Sequence, residues 1–251
     1  SLPSLITKGL SIASRSPNHA WGDMCFSATA SFVTAMGLTP VGIVSLTMAR
    51  RLDAKRWQPL ALIPLLFATQ QALEGVVWLL LDSPAPSPGL HLVSLAYLGF
   101  AFALWPVWIP WCALRLSAGH LVLWQRSLFR SLWGLGALLG AGLWFPLLLD
   151  TGLITPIVRN GSIDYQANPP WTALTGHLAI MLIYALIICL PLLLHPYRRL
   201  RLLGVALAVS FAVSQLAFQH AFTSVWCYFG ALISVLLLWI IRDVSALTAW
   251  P

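Results

Sequence analysis

The chain has 251 residues, of which 59% are hydrophobic and 8% charged, and its mean hydropathy is +0.84. Soluble domains carry roughly 25% charged residues, so this composition excludes a soluble globular enzyme and specifies an integral membrane protein. The formal net charge of +7 does not mark a nucleic-acid partner, because the basic residues fall where the ends of membrane segments need them.

Seven apolar segments can be cut from the chain, at about 26–48, 58–81, 90–114, 128–149, 171–194, 200–222 and 224–241. Each is near the ~20 residues that cross a hydrocarbon core of about 30 Å. Arg50, Arg51, Lys55, Arg56, Arg115, Arg126, Arg130, Arg198, Arg199, Arg201 and Arg242 lie on one side of this arrangement, and only Lys8, Arg15 and Arg159 on the other. The positive-inside rule then predicts an external N-terminus and a cytoplasmic C-terminus, which an odd number of spans requires. The fold class is an all-α bundle of seven transmembrane helices, with lipid as its surroundings.

Residues 1–23 read as a surface or accessory segment, and residues 24–251 as one membrane domain. Leu2, Leu5, Ile6, Leu10 and Ile12 could line a short helix lying on the membrane, although the Ser-rich, acid-poor composition also resembles a targeting peptide. The first helix carries Ser27, Ser31 and Thr34 on one stripe, small groups that let helices approach closely. The second contains the polar interruption Gln70, Gln71 and Glu74, followed one turn later by Trp78. Pro84, Pro86 and Pro88 stiffen the next loop. The third helix holds Trp105 to Trp111, WPVWIPW, in which Pro106 and Pro110 each remove a backbone donor and predict a kink or a widened turn. Its indoles suit an interfacial anchor or a stacking wall for a flat ligand.

The fourth helix contains Gly136 and Gly140, a GxxxG pair that predicts close packing. Between the fourth and fifth helices, β-branched and aromatic residues flank Asn160-Gly161, the signal of a type I′ hairpin. Asn160-Gly161-Ser162 also satisfies a glycosylation sequon. The fifth helix carries His177 about two turns from its outer end. The sixth becomes polar toward Ser214, Gln215, Gln219 and His220, and Ala221 to Thr223 leave room only for a tight turn into the seventh. His120 and His195 read as solvated loop residues on the cytoplasmic side.

Glu74 is the only glutamate in the chain, and an acid inside hydrocarbon costs about 2.5 kcal/mol or more unless it is paired, hydrated or neutralised. Counting inward at ~1.5 Å per residue, Glu74 and His177 share the outer third of the membrane with His91, His220, Cys25 and Cys227. Imidazole, thiolate and carboxylate suit a transition metal, so Glu74, His177, His220, Cys25 and Cys227 form a candidate ligand set, and Cys25 with Cys227 is the one pair placed for a disulfide. Glu74 is also the candidate catalytic proton acceptor. Gln70, Gln71, Trp78, Gln219 and Trp226 would line a cofactor pocket, with pigment, quinone or lipid as the alternative to a metal. No HExxH, paired ExxH or CxxC spacing occurs. Against these readings stands simple packing, in which Glu74 bonds across the bundle to Gln70, Gln71 or Gln219.

The seventh helix has no lysine for a retinal Schiff base, and no inverted repeat of the transporter kind is visible. At Met24-Cys25-Phe26-Ser27-Ala28 the chain resembles a family of uncharacterised bacterial multi-spanning membrane proteins. The resemblance continues through Pro64-Leu65-Leu66-Phe67, Glu74-Gly75, Trp78 and Trp226-Cys227, and the residues before Met24 depart from it. It implies a multi-pass protein of the bacterial cytoplasmic membrane and no particular activity. Two functional classes follow: a protein with a polar, metal- or cofactor-binding pocket under its outer face, or a non-catalytic subunit of a larger respiratory or photosynthetic membrane complex.

Overall fold

A computed structural model of the chain describes residues 27–51, 56–83, 89–116, 121–167, 169–170, 172 and 176–248. Residues 1–23 and Cys25 lie outside these, so the accessory segment and the Cys25 side of the ligand set are not described. Seven helices run through the described residues: α1 (Ala28–Arg51), α2 (Gln58–Leu81), α3 (Gly89–Leu116), α4 (Leu123–Leu149), α5 (His177–Leu193), α6 (Arg198–Ala217) and α7 (Gln219–Asp243). Between α4 and α5, β1 (Ile157–Arg159) and β2 (Ser162–Asp164) pair antiparallel with Arg159 opposite Ser162. Asn160 and Gly161 turn the hairpin with φ of 50° and 71°, the left-handed pair that a type I′ turn requires.

Six of the seven helices are long and apolar enough to cross a membrane. The chain is a multi-pass membrane protein. The exception is α5, which has 17 residues, at the short end of the ~17–25 that cross a bilayer. It begins at His177 because Gly176 takes a φ of 77°, which an α-helix cannot contain, and His177 therefore opens the helix rather than lying two turns inside it. A second correction concerns the α6–α7 turn. The break falls at Phe218, with φ −135° and ψ 40°, so Gln219 and His220 begin α7 instead of ending α6.

Neighbouring helices pack α2 on α3, α3 on α5, α5 on α6, α6 on α7 and α7 back on α2, a ring of five, with α1 outside α2 and α7 and α4 outside α3 and α5. Glycines set the closest approaches. A Cβ on Gly42 of α1 would lie 2.5 Å from the Leu65 side chain of α2, and one on Gly75 of α2 would lie 2.8 Å from the ring of Phe32. On α4, Gly140 faces the Phe102 carbonyl, where a Cβ would lie 2.8 Å away, and Gly136 faces the Pro106 carbonyl. The GxxxG pair thus brings α4 onto the backbone of α3, as small residues do where packing rather than water drives association.

The widened turn expected near Pro106 is present one turn earlier. Gly99–Leu104 form a π-helical segment, and the Trp105 N–H reaches back five residues to Phe100. Pro106 has no N–H for the carbonyl of Phe102, and widening the preceding turn redistributes the freed acceptors. The Tyr184 hydroxyl of α5 donates to the Ala101 carbonyl, and Trp144 of α4 donates to the Leu95 carbonyl at 3.1 Å.

The end of the bundle opposite the hairpin is clamped by polar contacts. Arg199 pairs with Asp243 at 2.6 Å and lies over the Trp239 ring at 4.1 Å. His195, expected to be solvated, is only 4% exposed: its Nδ1 accepts the Tyr197 N–H at 3.1 Å, and its other nitrogen bonds the Ala113 backbone. Burial therefore pushes its pKa down to about 4, because a charged imidazole would lose water and give up the Tyr197 bond. Since an unfolded histidine titrates near 6.5, stability is fully present above about pH 6.5 and is lost as the pH falls toward 4, by about 3 kcal/mol at most. Melting followed in detergent from pH 7 to 4.5 should show this loss in the wild type. His195→Asn keeps an acceptor for Tyr197 without a titrating ring, and should flatten the profile; an unchanged slope would assign the effect elsewhere.

Candidate functional site

The polar face of α2 is turned into the ring. Gln70 and Gln71 are fully buried and Glu74 is 2% exposed, because α1 covers one flank of the helix while α3 and α7 close over the other. The Glu74 carboxylate accepts from two sides: Gln71 Nε2 donates to Oε2 at 3.0 Å, and the Ser224 hydroxyl of α7 donates to Oε1. Gln70 turns away from Glu74 and accepts the Trp105 indole N–H at 2.8 Å, and Trp105 in turn stacks on Phe67 with centroids 4.1 Å apart. One helix face thus ties α2 to α3 through an indole and to α7 through a serine.

The Cys227 thiol is buried and free. It faces the Gln70 amide and the Tyr97 hydroxyl, and Tyr97 also faces Glu74. Gln71 Oε1 has no hydrogen-bond partner among the described residues, while Gln70 Nε2 and the Tyr97 hydroxyl find only the Cys227 thiol and, for Tyr97, the Glu74 carboxyl. The weakly satisfied polar groups gather around one carboxyl.

The hairpin connection folds inward over this cluster. Ile154 and Ile163 are fully buried, Tyr165 is nearly so, and the Tyr165 ring stacks on Tyr97 with centroids 4.7 Å apart and planes 10° from parallel. The Thr155 N–H donates to the Tyr165 carbonyl at 3.2 Å and draws the two ends of the connection together. Burial, reinforced by the nearby Glu74 carboxyl, pushes the Tyr165 phenol well above its ordinary value, so Tyr165 meets the cluster as a neutral ring.

Three spaces in the bundle share lining residues. An apolar chamber of about 50 Å³ is lined by residues from all five ring helices, among them Phe67, Trp105, Tyr184, Leu207, Trp226 and Cys227. Tyr184, Trp226 and Cys227 also line a space of about 20 Å³, together with Phe102, Met181 and Thr223. Those last three line a cavity of about 480 Å³ at the hairpin end, whose polar walls include Asp164, Gln166, Gln219 and His220.

A model of a family of unknown function (DUF6629) matches residues 24–249. The chain belongs to that family. No curated protein and no solved structure matches it. The function of that family is unknown.

Of the residues singled out in the sequence, Glu74, Gln70, Gln71, Cys227 and Trp226 come together. Trp226 is buried on the chamber wall and donates its indole N–H to Ser210 at 3.1 Å. Trp78 packs half-buried against the core without joining the hydrogen bonds around Glu74. His220 and the exposed Gln219 line the hairpin-end cavity, where neither Glu74 nor Cys227 is a lining residue. The His177 side chain lies outside the described part of the structure, like Cys25. Among the described residues no three of His, Cys, Asp and Glu gather closely enough to hold a metal ion. Gln71 and Ser224, not Gln70 or Gln219, bond to Glu74.

Sequence reasoning missed Ser224, Tyr97, Tyr165 and Tyr184. A hydroxyl within an apolar run is a signal for the three that lie in helices, since it needs a partner in hydrocarbon. Tyr165, in a connection, offers no such signal. Within the Trp105–Trp111 stretch, Trp105 is buried on the chamber wall, whereas Trp108 and Trp111 are half-buried and pack 5.0 Å apart.

Proposed function

We propose that the protein binds the hydrocarbon part of a small membrane-soluble molecule inside its five-helix ring. The observation that carries this reading is the junction between the apolar chamber and the polar cluster, made by Trp105 and Cys227, which belong to both. A lining of Phe, Trp, Leu and Ile offers dispersion contacts and excludes water, the composition of an organic ligand site. A closed apolar cavity of about 150 Å³ accepts benzene, whereas the chamber measures about 50 Å³, so it takes an apolar group of a few carbon atoms and leaves no room for a flat pigment. In this reading Glu74 is a positioning residue: with Gln71 and Ser224 it holds α2 against α7 and so presents Trp105 and Cys227 to the chamber. The hairpin end faces the exterior of a bacterial cytoplasmic membrane, a placement supported by the charge distribution of the loops.

Leu207 lines the chamber and is only half-buried, so Leu207→Trp should fill the space while leaving the helix ends and the polar cluster alone. Solvent extraction of the purified protein followed by mass spectrometry should recover a small membrane-soluble compound from the wild type, near one per protein, and much less from Leu207→Trp. Equal recovery from both would remove the chamber as the binding site.

A further inference from the structure

We infer that Glu74 is a proton-binding site within the membrane: it stays an uncharged acid whose O–H donates to Ser224, and the ligand it holds is the proton itself. This goes beyond the chamber, and stands whatever the chamber takes.

A carboxylate in hydrocarbon has to be paired, hydrated or neutralised. Pairing is missing, since the ion pairs among the described residues join Arg159 to Asp164 and Arg199 to Asp243. Hydration is restricted, because Glu74 is 2% exposed and the stacked rings of Tyr97 and Tyr165 lie against the cluster. Neutralisation is what remains.

Every element packed on this stretch of α2 brings uncharged groups to it. α3 supplies the Tyr97 hydroxyl, the hairpin connection the Tyr165 phenol, and α7 the Ser224 hydroxyl and the Cys227 thiol; phenols and thiols are uncharged at neutral pH. From α1, Phe32 packs against Gly75, the residue after Glu74. The arginines of that helix, Arg50 and Arg51, lie in its last turn, about 27 Å further along at ~1.5 Å per residue.

The hydrogen bonds serve the acid as well as they serve the anion. A hydroxyl both donates and accepts, so the contact between Glu74 Oε1 and Ser224 is also made with Glu74 donating. Oε2 then acts as the carbonyl of the acid and keeps the Gln71 Nε2 bond at 3.0 Å. Ser224 has its own proton left to place, and other hydroxyls on these helices show where it goes. Thr39, Thr47, Thr69, Ser210 and Ser234 each donate to a carbonyl three or four residues earlier. Turned the same way, Ser224 donates to the carbonyl of His220 or Ala221, and no partner is lost.

Glu74 is the only glutamate in the chain, so glutamate labelled with heavy carbon at its side-chain carboxyl, supplied in cell-free synthesis, reports one site. Infrared difference spectra between the labelled and unlabelled full chain, in lipid at pH 7, should show the carbonyl band of a protonated carboxyl moving with the label. Labelled carboxylate bands should be absent. Glu74→Gln should lose the band, and a band that survived it would belong elsewhere and overturn the inference. Ser224→Ala removes the acceptor, so the band should persist but move to higher frequency, as an acid carbonyl does when its O–H loses its hydrogen bond. Carboxylate bands alone in the wild type would overturn the inference, and a band at the wild-type frequency in Ser224→Ala would overturn Ser224 as the acceptor of the proton.

Discussion

Gly136→Val should be the most damaging single substitution in the membrane domain, abolishing a monodisperse, cooperatively melting species in detergent. A side chain at this position would be driven into the Pro106 carbonyl, with the Phe102 carbonyl held by Gly140 one turn further along. The obstacle is backbone, and no rotamer change relieves it. Overpacking by a methyl or two ordinarily costs about 1–3 kcal/mol, and here the whole of α4 would have to retreat from α3, taking the Trp144–Leu95 hydrogen bond with it. Gly134→Val provides the control, because nothing lies within 4 Å of a Cβ there and the residue is exposed on the same helix. Size-exclusion chromatography and thermal melting of the two variants side by side check the argument. Similar behaviour of both would mean that α4 does not pack on α3 through Gly136.

Glu74→Leu should be the second largest effect. It fills a similar volume but strands the Ser224 hydroxyl and the Gln71 amide, both buried, at about 1–3 kcal/mol for each donor left unbonded. Glu74→Gln is the informative partner. An amide keeps an oxygen to accept from Ser224 and has a shape close to the carboxyl's, so its melting temperature should stay near the wild-type value or rise. That contrast separates hydrogen bonding from charge. Were Glu74→Gln as damaging as Glu74→Leu, the ionised carboxylate itself would be required, and a positioning role would no longer describe the residue.

What the sequence by itself determined is whatever follows from local composition and spacing. Hydropathy over windows of a helix length set the membrane class and the helices, because in lipid each segment must satisfy its own backbone. The φ preferences of Asn160-Gly161 set the hairpin, the GxxxG pair the α3–α4 contact, and the missing donor of Pro106 the widened turn. The cost of an acid in hydrocarbon directed attention to Glu74, which does occupy a buried polar cluster. Tertiary structure alone decided which side chains meet. Depth in the membrane is one coordinate, and six residues at a common depth can lie on any side of a bundle; so His220 faces the hairpin-end cavity, while Cys227 reaches Glu74's neighbours. Ser224 and Tyr97 belong to the cluster because α7 and α3 flank α2, an adjacency that no spacing within one segment encodes. The inward fold of the connection that stacks Tyr165 on Tyr97, and the apolar chamber lined by all five helices of the ring, arise from packing across the chain.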